Sequence, residues 1–210
     1  MEAVNTKYLI KFAHIYSAVF SPFYAPTWAF IWLLFYSYLR LWPWTYKAFI
    51  LAVVIMFTVI IPRLTIDIFR RLNKWSHWQL SHREHRHMPY FITIASYVAC
   101  VMIFMQLNTA LFMRGMILAM LATGLLCALL NAWWKVSTHM AGMGGLFGTV
   151  IAFSYLFYFN PLWPMCIILL MAGVMGTCRM VLHQHSLAQV IVGFLIGMFC
   201  ALMFILFVWI

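Results

Sequence analysis

Charged side chains are scarce in this chain of 210 residues, and acidic side chains are rarer still. Asp, Glu, Lys and Arg make up 8% of the residues, whereas a soluble domain of this size carries about 25%. Hydrophobic residues make up 67% of the chain. This composition excludes an ordinary soluble domain and predicts an integral membrane protein. The acidic residues are Glu2, Asp67 and Glu84.

The sequence also has no linker rich in Ser, Gly or Pro, no internal repeat and no Cys-x-x-Cys pair. The absence of a linker predicts one integral membrane domain over residues 1–210. Without a Cys-x-x-Cys pair, the five cysteines are interpreted as core thiols rather than as metal or redox ligands.

Long apolar runs account for most of the chain. A helix needs about 20 such residues to cross a bilayer, and the runs are continuous rather than alternating, which favours helices over a β-barrel. We therefore predict an all-α, polytopic transmembrane helix bundle of six or seven spans. The candidate spans are residues 20–40, 45–66, 89–108, 113–134, 139–159, 162–179 and 186–210.

Prolines interrupt the first two candidate spans. Pro22 and Pro26 break the first one, so in the six-span alternative residues 6–19 form a separate interfacial helix. Pro62 predicts a kink in the second span.

Three polar segments lie between the predicted spans. They are residues 67–88, 135–139 and 179–185. Two spans separate each segment from the next, so span counting brings all three to the same face of the bundle.

The first polar segment is rich in arginine. Arg83 and Arg86 lie on adjacent helical turns and could hold two oxygens of one phosphate, although a cytoplasmic loop under the positive-inside rule is the alternative. Asp67 stands three and four residues before Arg70 and Arg71, which predicts a local ion pair.

The second polar segment begins at Lys135 and continues Ser137-Thr138-His139 into a glycine-rich run. A helix that starts near Thr138 would present free backbone N–H groups to an anion. Alternatively, Ser137 or Thr138 is an ordinary N-cap, and the glycines only permit close helix packing.

The third polar segment contains Arg179, His185 and Gln189. Gln189 lies one turn after His185 and could orient the imidazole by a hydrogen bond to Nδ1. The alternative is that His185 is an interfacial residue at the end of a span.

These motifs resemble those of the type 2 phosphatidic-acid phosphatase superfamily, the membrane branch of the vanadium haloperoxidase fold. The third motif of that family, Ser-Arg-x₅-His-x₃-Asp, corresponds here to Cys178-Arg179-x₅-His185-x₃-Gln189. Its second, Pro-Ser-Gly-His, corresponds to residues 136–139. The first is matched only in character by Arg83, Arg86 and Pro89. The resemblance covers about residues 83–197 and implies a haloperoxidase-like helical core.

The resemblance implies a lipid phosphatase and a role for each motif residue. His185 would form a phosphohistidine, and His139 would protonate the leaving oxygen. No metal and no cofactor would be required. The phosphate would be held by Arg83, Arg86, Lys135, Ser137, Thr138 and Arg179.

This sequence departs from the family motifs at two positions. Gln189 replaces the aspartate that orients the nucleophile, and loss of such a carboxylate in a catalytic triad costs a factor of about 10⁴. Thr138 replaces a glycine of the phosphate loop. Both a slow phosphatase and an inactive phospholipid-binding or transport protein of the same fold fit these departures.

A histidine-box metal enzyme is a further alternative, because seven of the eight histidines lie in the polar segments. The interleaved arginines would repel a cation, however, and almost no acidic residue is present to support a metal ligand.

The net charge of +10 predicts attraction to an anionic leaflet or to an anionic substrate head group, but not to nucleic acid, since most of the surface faces lipid. A lipid phosphate as substrate is what the resemblance implies. On the predicted spans, ten of the thirteen Lys and Arg residues lie on the motif face, so the positive-inside rule makes that face cytoplasmic. The resemblance instead implies the periplasmic face of a bacterial inner membrane. The sequence leaves the oligomeric state and the particular lipid phosphate open.

Overall fold

The computed structural model describes residues 2–72 and 87–207, and these residues form helices with no β-strand among them. The helices are α1 (Glu2–Val19), α2 (Ala25–Tyr36), α3 (Trp44–Leu72), α4 (His87–Gln106), α5 (Leu111–Asn131), α6 (Thr138–Phe157), α7 (Leu162–Val181) and α8 (Leu187–Phe207).

Six of the described helices, α3 to α8, are long and apolar enough to cross a membrane. They correspond to the last six predicted spans, which confirms an all-α polytopic bundle. The first candidate span, residues 20–40, contains α2, whose 12 residues rise only about 18 Å. This helix is too short to cross a bilayer, so within residues 2–72 and 87–207 the six-span alternative holds, and α1 is a separate helix before α2.

Pro62 changes the hydrogen bonding of α3, as expected for a proline inside a helix. Residues Met56–Ile60 form a π-helical turn in which the N–H of Ile61 donates to Met56. The next bond of that pattern would run from residue 62 to the carbonyl of Phe57, but proline has no N–H. Instead, Ser96 of α4 donates its hydroxyl to the Phe57 carbonyl at 2.5 Å.

Glycines bring α6 and α8 into backbone contact. A Cβ at Gly193 would lie 2.5 Å from the carbonyl oxygen of Ser137, and a Cβ at Gly148 would lie 2.5 Å from that of Met198. Residue numbers rise together along this contact, so α6 and α8 are parallel. Both helices therefore begin at the same end of the bundle.

The largest apolar cluster lies at the other end of the bundle. Phe112 contacts Phe153 edge-on at a ring distance of 6.0 Å, and Phe30 contacts Phe104 at 5.6 Å. All four rings are buried; Phe104, Phe112 and Phe153 come from the ends of α4, α5 and α6 that lie opposite the polar segments, and Phe30 comes from the middle of α2. This packing holds the helices together away from the candidate site.

Four of the five cysteines are buried, as predicted: Cys100, Cys127, Cys178 and Cys200. The prediction was wrong for Cys166, which is exposed at the outer surface of α7. Its side chain lines a groove between α7 and α1, together with Leu9 and Phe12.

Candidate functional site

The third polar segment forms a tight corner between α7 and α8. His183 adopts a left-handed conformation with φ of 51° directly after α7. The N–H of Gln184 donates to the carbonyl of Arg179 at 3.1 Å, and the N–H of His183 donates to Met180. This pattern is a Schellman C-cap, which reverses the chain and lets His185 point inward.

His185 and Gln189 form the hydrogen bond that their spacing predicted. Nδ1 of His185 lies 3.2 Å from Oε1 of Gln189. The same Oε1 accepts from the backbone N–H of Ser186 at 3.1 Å, while the N–H of Gln189 donates to the Ser186 hydroxyl. Ser186 and Gln189 are thus a capping box at the start of α8, a pattern that sequence analysis missed.

The capping box also determines the tautomer of His185. Because a backbone N–H can only donate, the atom that Ser186 contacts must be the amide oxygen of Gln189. Nδ1 of His185 therefore carries the hydrogen, and the lone pair of the neutral ring lies on Nε2. In this tautomer Nε2 is the ring atom with nucleophilic character.

The second polar segment meets the third through the backbone. The N–H of Ser137 donates to the carbonyl of Gln189 at 3.3 Å. Ser137 is fully buried and is the N-cap of α6, since its hydroxyl accepts from the N–H of Met140 at 3.5 Å. The convergence of the second and third segments is confirmed, and the N-terminal ends of α6 and α8 add positive potential there.

Arg179 is a buried cation at the end of α7, with 8% of its surface exposed. Its guanidinium donates to Oε1 of Gln184 at 3.0 Å. Gln184 is a second residue that sequence analysis missed, since nothing in the spacing distinguishes it from a loop residue. Lys135 and Thr138 lie half-buried on either side of Ser137.

His139 takes a partner that the sequence did not predict. Its Nε2 lies 3.1 Å from the backbone carbonyl of Ser17 near the end of α1. A carbonyl only accepts, so Nε2 carries the hydrogen. Helix α1 is held against α7 at this point, where the Tyr16 hydroxyl donates to the carbonyl of Met171 at 3.1 Å and burial raises the pKa of Tyr16.

The first polar segment is described only at its two ends. Arg83 and Arg86, the predicted phosphate ligands, lie outside the described residues. Arg70 forms the predicted ion pair with Asp67 at 3.5 Å. Tyr90, in the first turns of α4, packs against the cluster that contains Val136, so α4 begins at the same end of the bundle as α6.

Apart from Lys135, the predicted site residues that the structure describes thus fall into two neighbouring groups. One group, at the start of α8, consists of Ser137, Arg179, His185 and Gln189, with Gln184 added by the structure. The other consists of His139 and Thr138, which face α1 and a cavity beside α4. The contacts described above do not join the two imidazoles to each other.

Comparison with known proteins adds no relative. No family model matches the chain, and neither a curated protein nor a solved structure matches it. Among the described residues, no group of three His, Cys, Asp or Glu side chains is arranged to hold a metal ion.

Proposed function

We propose that this chain is a membrane phosphatase that hydrolyses a lipid phosphomonoester or diphosphate through a phosphohistidine at His185. The observation that carries the proposal is the hydrogen bond from Nδ1 of His185 to Gln189, whose own carbonyl accepts from Ser137. This arrangement directs Nε2 as a nucleophile beside the start of two helices and near a buried arginine.

Electrostatics support an anionic ligand at this position. Phosphoryl transfer depends mainly on positioning and on stabilising charge on the phosphate oxygens. Arg179 supplies a cation with little water around it, and the first turns of α6 and α8 supply two positive helix ends. Lys135 and the Thr138 backbone N–H stand on the second segment, while Arg83 and Arg86 would complete the phosphate site.

The proposed reaction has two steps. Nε2 of His185 attacks phosphorus while the bond from phosphorus to the lipid oxygen breaks, and His139 gives that oxygen a proton. A water molecule then attacks phosphorus and gives a proton to His139. The bond from phosphorus to Nε2 of His185 breaks, and inorganic phosphate is released. For the first step His139 must donate through Nδ1 or leave the Ser17 carbonyl, because its Nε2 hydrogen is already engaged.

The test is phosphate release by the purified protein from a panel of lipid phosphates. The panel contains phosphatidate, phosphatidylglycerophosphate, an isoprenoid diphosphate and a lipid A phosphate. We expect release from at least one of them and its loss in His185→Ala. His14→Ala, which replaces an exposed histidine of α1, is the matched control. No release by the wild-type protein from any substrate would refute the enzyme.

A specific observation favours a second function, that of a catalytically inactive phospholipid-binding protein. Gln189 is neutral and already serves as a helix cap, and His139 is engaged by Ser17. A lipid phosphate could therefore bind at Arg179 without turnover. Saturable binding of phosphatidate by the wild-type protein, with no release of phosphate, would select this alternative.

The excess of cations on the motif face leads us to place the site at the cytoplasmic face of a bacterial inner membrane. Lys and Arg are enriched in cytoplasmic loops, and Arg40, Lys47 and Arg114 are the three cations assigned to the opposite face.

A further inference from the structure

A cavity of about 330 Å³ lies beside His139 and extends into the bundle. Its walls come from α2, α4, α5, α6 and α8, together with the connection between α1 and α2. His139 and Thr149 both line it, and α6 rises about 15 Å between them. The cavity therefore follows the span and does not run along the membrane surface.

Polar groups are concentrated at one end of this cavity. Thr138, His139 and Tyr90 line it from the first turns of α6 and α4. Deeper in the bundle the hydroxyls of Thr123 and Thr149 donate to carbonyls of their own helices at 2.7 Å, so they offer little polarity to an occupant. The cavity thus has one polar end and a mainly apolar interior, to which α4 adds Tyr97.

Glycines keep the cavity open. In the run 141–145, Gly144 faces α8, where its missing Cβ admits the Phe194 carbonyl, whereas Gly145 lines the cavity. A Cβ at Gly145 would meet only the Gly197 carbonyl at 3.9 Å, and one at Gly124 only Ile94 at 3.8 Å. Helix packing does not require glycine at these two positions, and larger side chains would enter the cavity.

We propose that this cavity holds the hydrocarbon chain of the phosphate amphiphile, with the lipid oxygen that carries the phosphate at Thr138 and His139. The proposal deepens the proposed function, on which the identity of the polar group rests. The cavity is about 15 Å long, which accommodates an extended chain of about twelve carbon atoms. Gly124 and Gly145 would then determine which chains fit.

The experiment is photocrosslinking in nanodiscs with dodecyl phosphonate that carries a diazirine at the far end of its chain. The phosphonate cannot be hydrolysed, so labelling is independent of turnover. Peptide mass spectrometry should locate the label on α5 and α6, near Ala119 and Thr149. Dodecanol with the same diazirine is the control for labelling that does not depend on the phosphonate group. It should label these residues less than dodecyl phosphonate does.

Two variants test the cavity, and one serves as the matched control. Gly124→Leu and Gly145→Leu should each lower cavity labelling at least about tenfold, because overfilling a packed site has an effect of this size. Gly173→Leu, on α7 where a Cβ meets nothing within 4 Å, should change labelling by less than about twofold. Thermal stability of each variant is measured alongside.

The outcomes separate this proposal from the proposed function. Labelling confined to lipid-facing residues, equal labelling by dodecanol, or unchanged labelling in both folded leucine variants would overturn the cavity assignment. The assignment would also be overturned if neither unlabelled dodecyl phosphonate nor farnesyl phosphonate reduced labelling of the cavity. Cavity labelling without phosphate release from any substrate would instead refute the enzyme and leave the cavity assignment in place.

Discussion

The backbone N–H of Ser137 donates to the carbonyl oxygen of Gln189 at 3.3 Å, and this bond joins two segments that are about fifty residues apart in sequence. Gly193, one turn after Gln189, permits the approach, since a Cβ there would lie 2.5 Å from the Ser137 carbonyl. The relative position of the two histidine-bearing segments therefore depends on a contact between backbones. Such a contact is insensitive to most side-chain changes elsewhere.

Replacement of Gln189 by glutamate should increase phosphate release. Glutamate keeps the length needed for the capping box with Ser186 and adds a carboxylate that stabilises the positive charge formed on His185. We expect a gain of at least about tenfold in single-turnover rate, because loss of the equivalent charge in a catalytic triad costs about 10⁴.

Gln189→Ala is the companion variant for this prediction. It removes both the cap and the orienting oxygen, so both stability and rate should fall. A glutamate variant that folds normally but releases phosphate no faster than wild type would show that Gln189 does not act through His185.

Loss of the Ser96 hydroxyl should destabilise the bundle. Ser96→Ala leaves the Phe57 carbonyl without the donor that replaces the missing N–H of Pro62, at a cost of about 1–3 kcal/mol. The measurement is reversible unfolding in detergent.

A double-mutant cycle checks the reason for this effect. Pro62→Ala restores a backbone N–H, so Ser96→Ala should cost much less in that background. Equal costs in both backgrounds would show that Ser96 and Pro62 act independently.

Glycines at the contact between α6 and α8 should not tolerate a methyl group. The added Cβ would overlap the Phe194 carbonyl in Gly144→Ala and the Ala141 carbonyl in Gly197→Ala. Each substitution should cost about 1–3 kcal/mol or more, seen as a lower Tm. Gly173→Ala, which meets nothing, should leave Tm unchanged or raise it slightly. A similar Tm for all three variants would contradict the proposed close contact.

The orientation of the site can be measured with single introduced cysteines. Trp133→Cys lies in the exposed turn before α6, on the motif face, and Asn108→Cys lies in the exposed turn on the opposite face. If the site is cytoplasmic, a membrane-impermeant maleimide should label position 108 in intact cells and position 133 only after permeabilisation. The unmodified protein gives the background from its own cysteines, and the reverse pattern would place the site in the periplasm.

The sequence was sufficient to predict the class of fold and the end of the bundle at which the second and third polar segments lie. Apolar runs of about 20 residues determine which helices can cross a bilayer, and span counting then places residues 135–139 and 179–185 at one end. The spacing of four between His185 and Gln189 also predicted their hydrogen bond, because that pair is local to one turn. The first candidate span, residues 20–40, was the exception, since its helix begins only at Ala25, after Pro22, and is too short to cross a bilayer.

Long-range partners could not be predicted in this way. His139 bonds to the carbonyl of Ser17, 122 residues earlier, and nothing in the composition of α1 marks that carbonyl. The glycine run gave no indication that Gly144 faces α8 while Gly145 faces a cavity. Helices that are apolar on every side have no polar face to indicate their rotation.

By itself, therefore, the sequence determined that this chain is a polytopic helical membrane protein in which residues 135–139 and 179–185 share one face. Only the tertiary structure decided which side of each helix packs, which lines the cavity and which carbonyl engages His139. The physical reason is that partition into lipid depends on the hydrophobicity of a segment, whereas side-chain pairing depends on how two helices approach and rotate against each other.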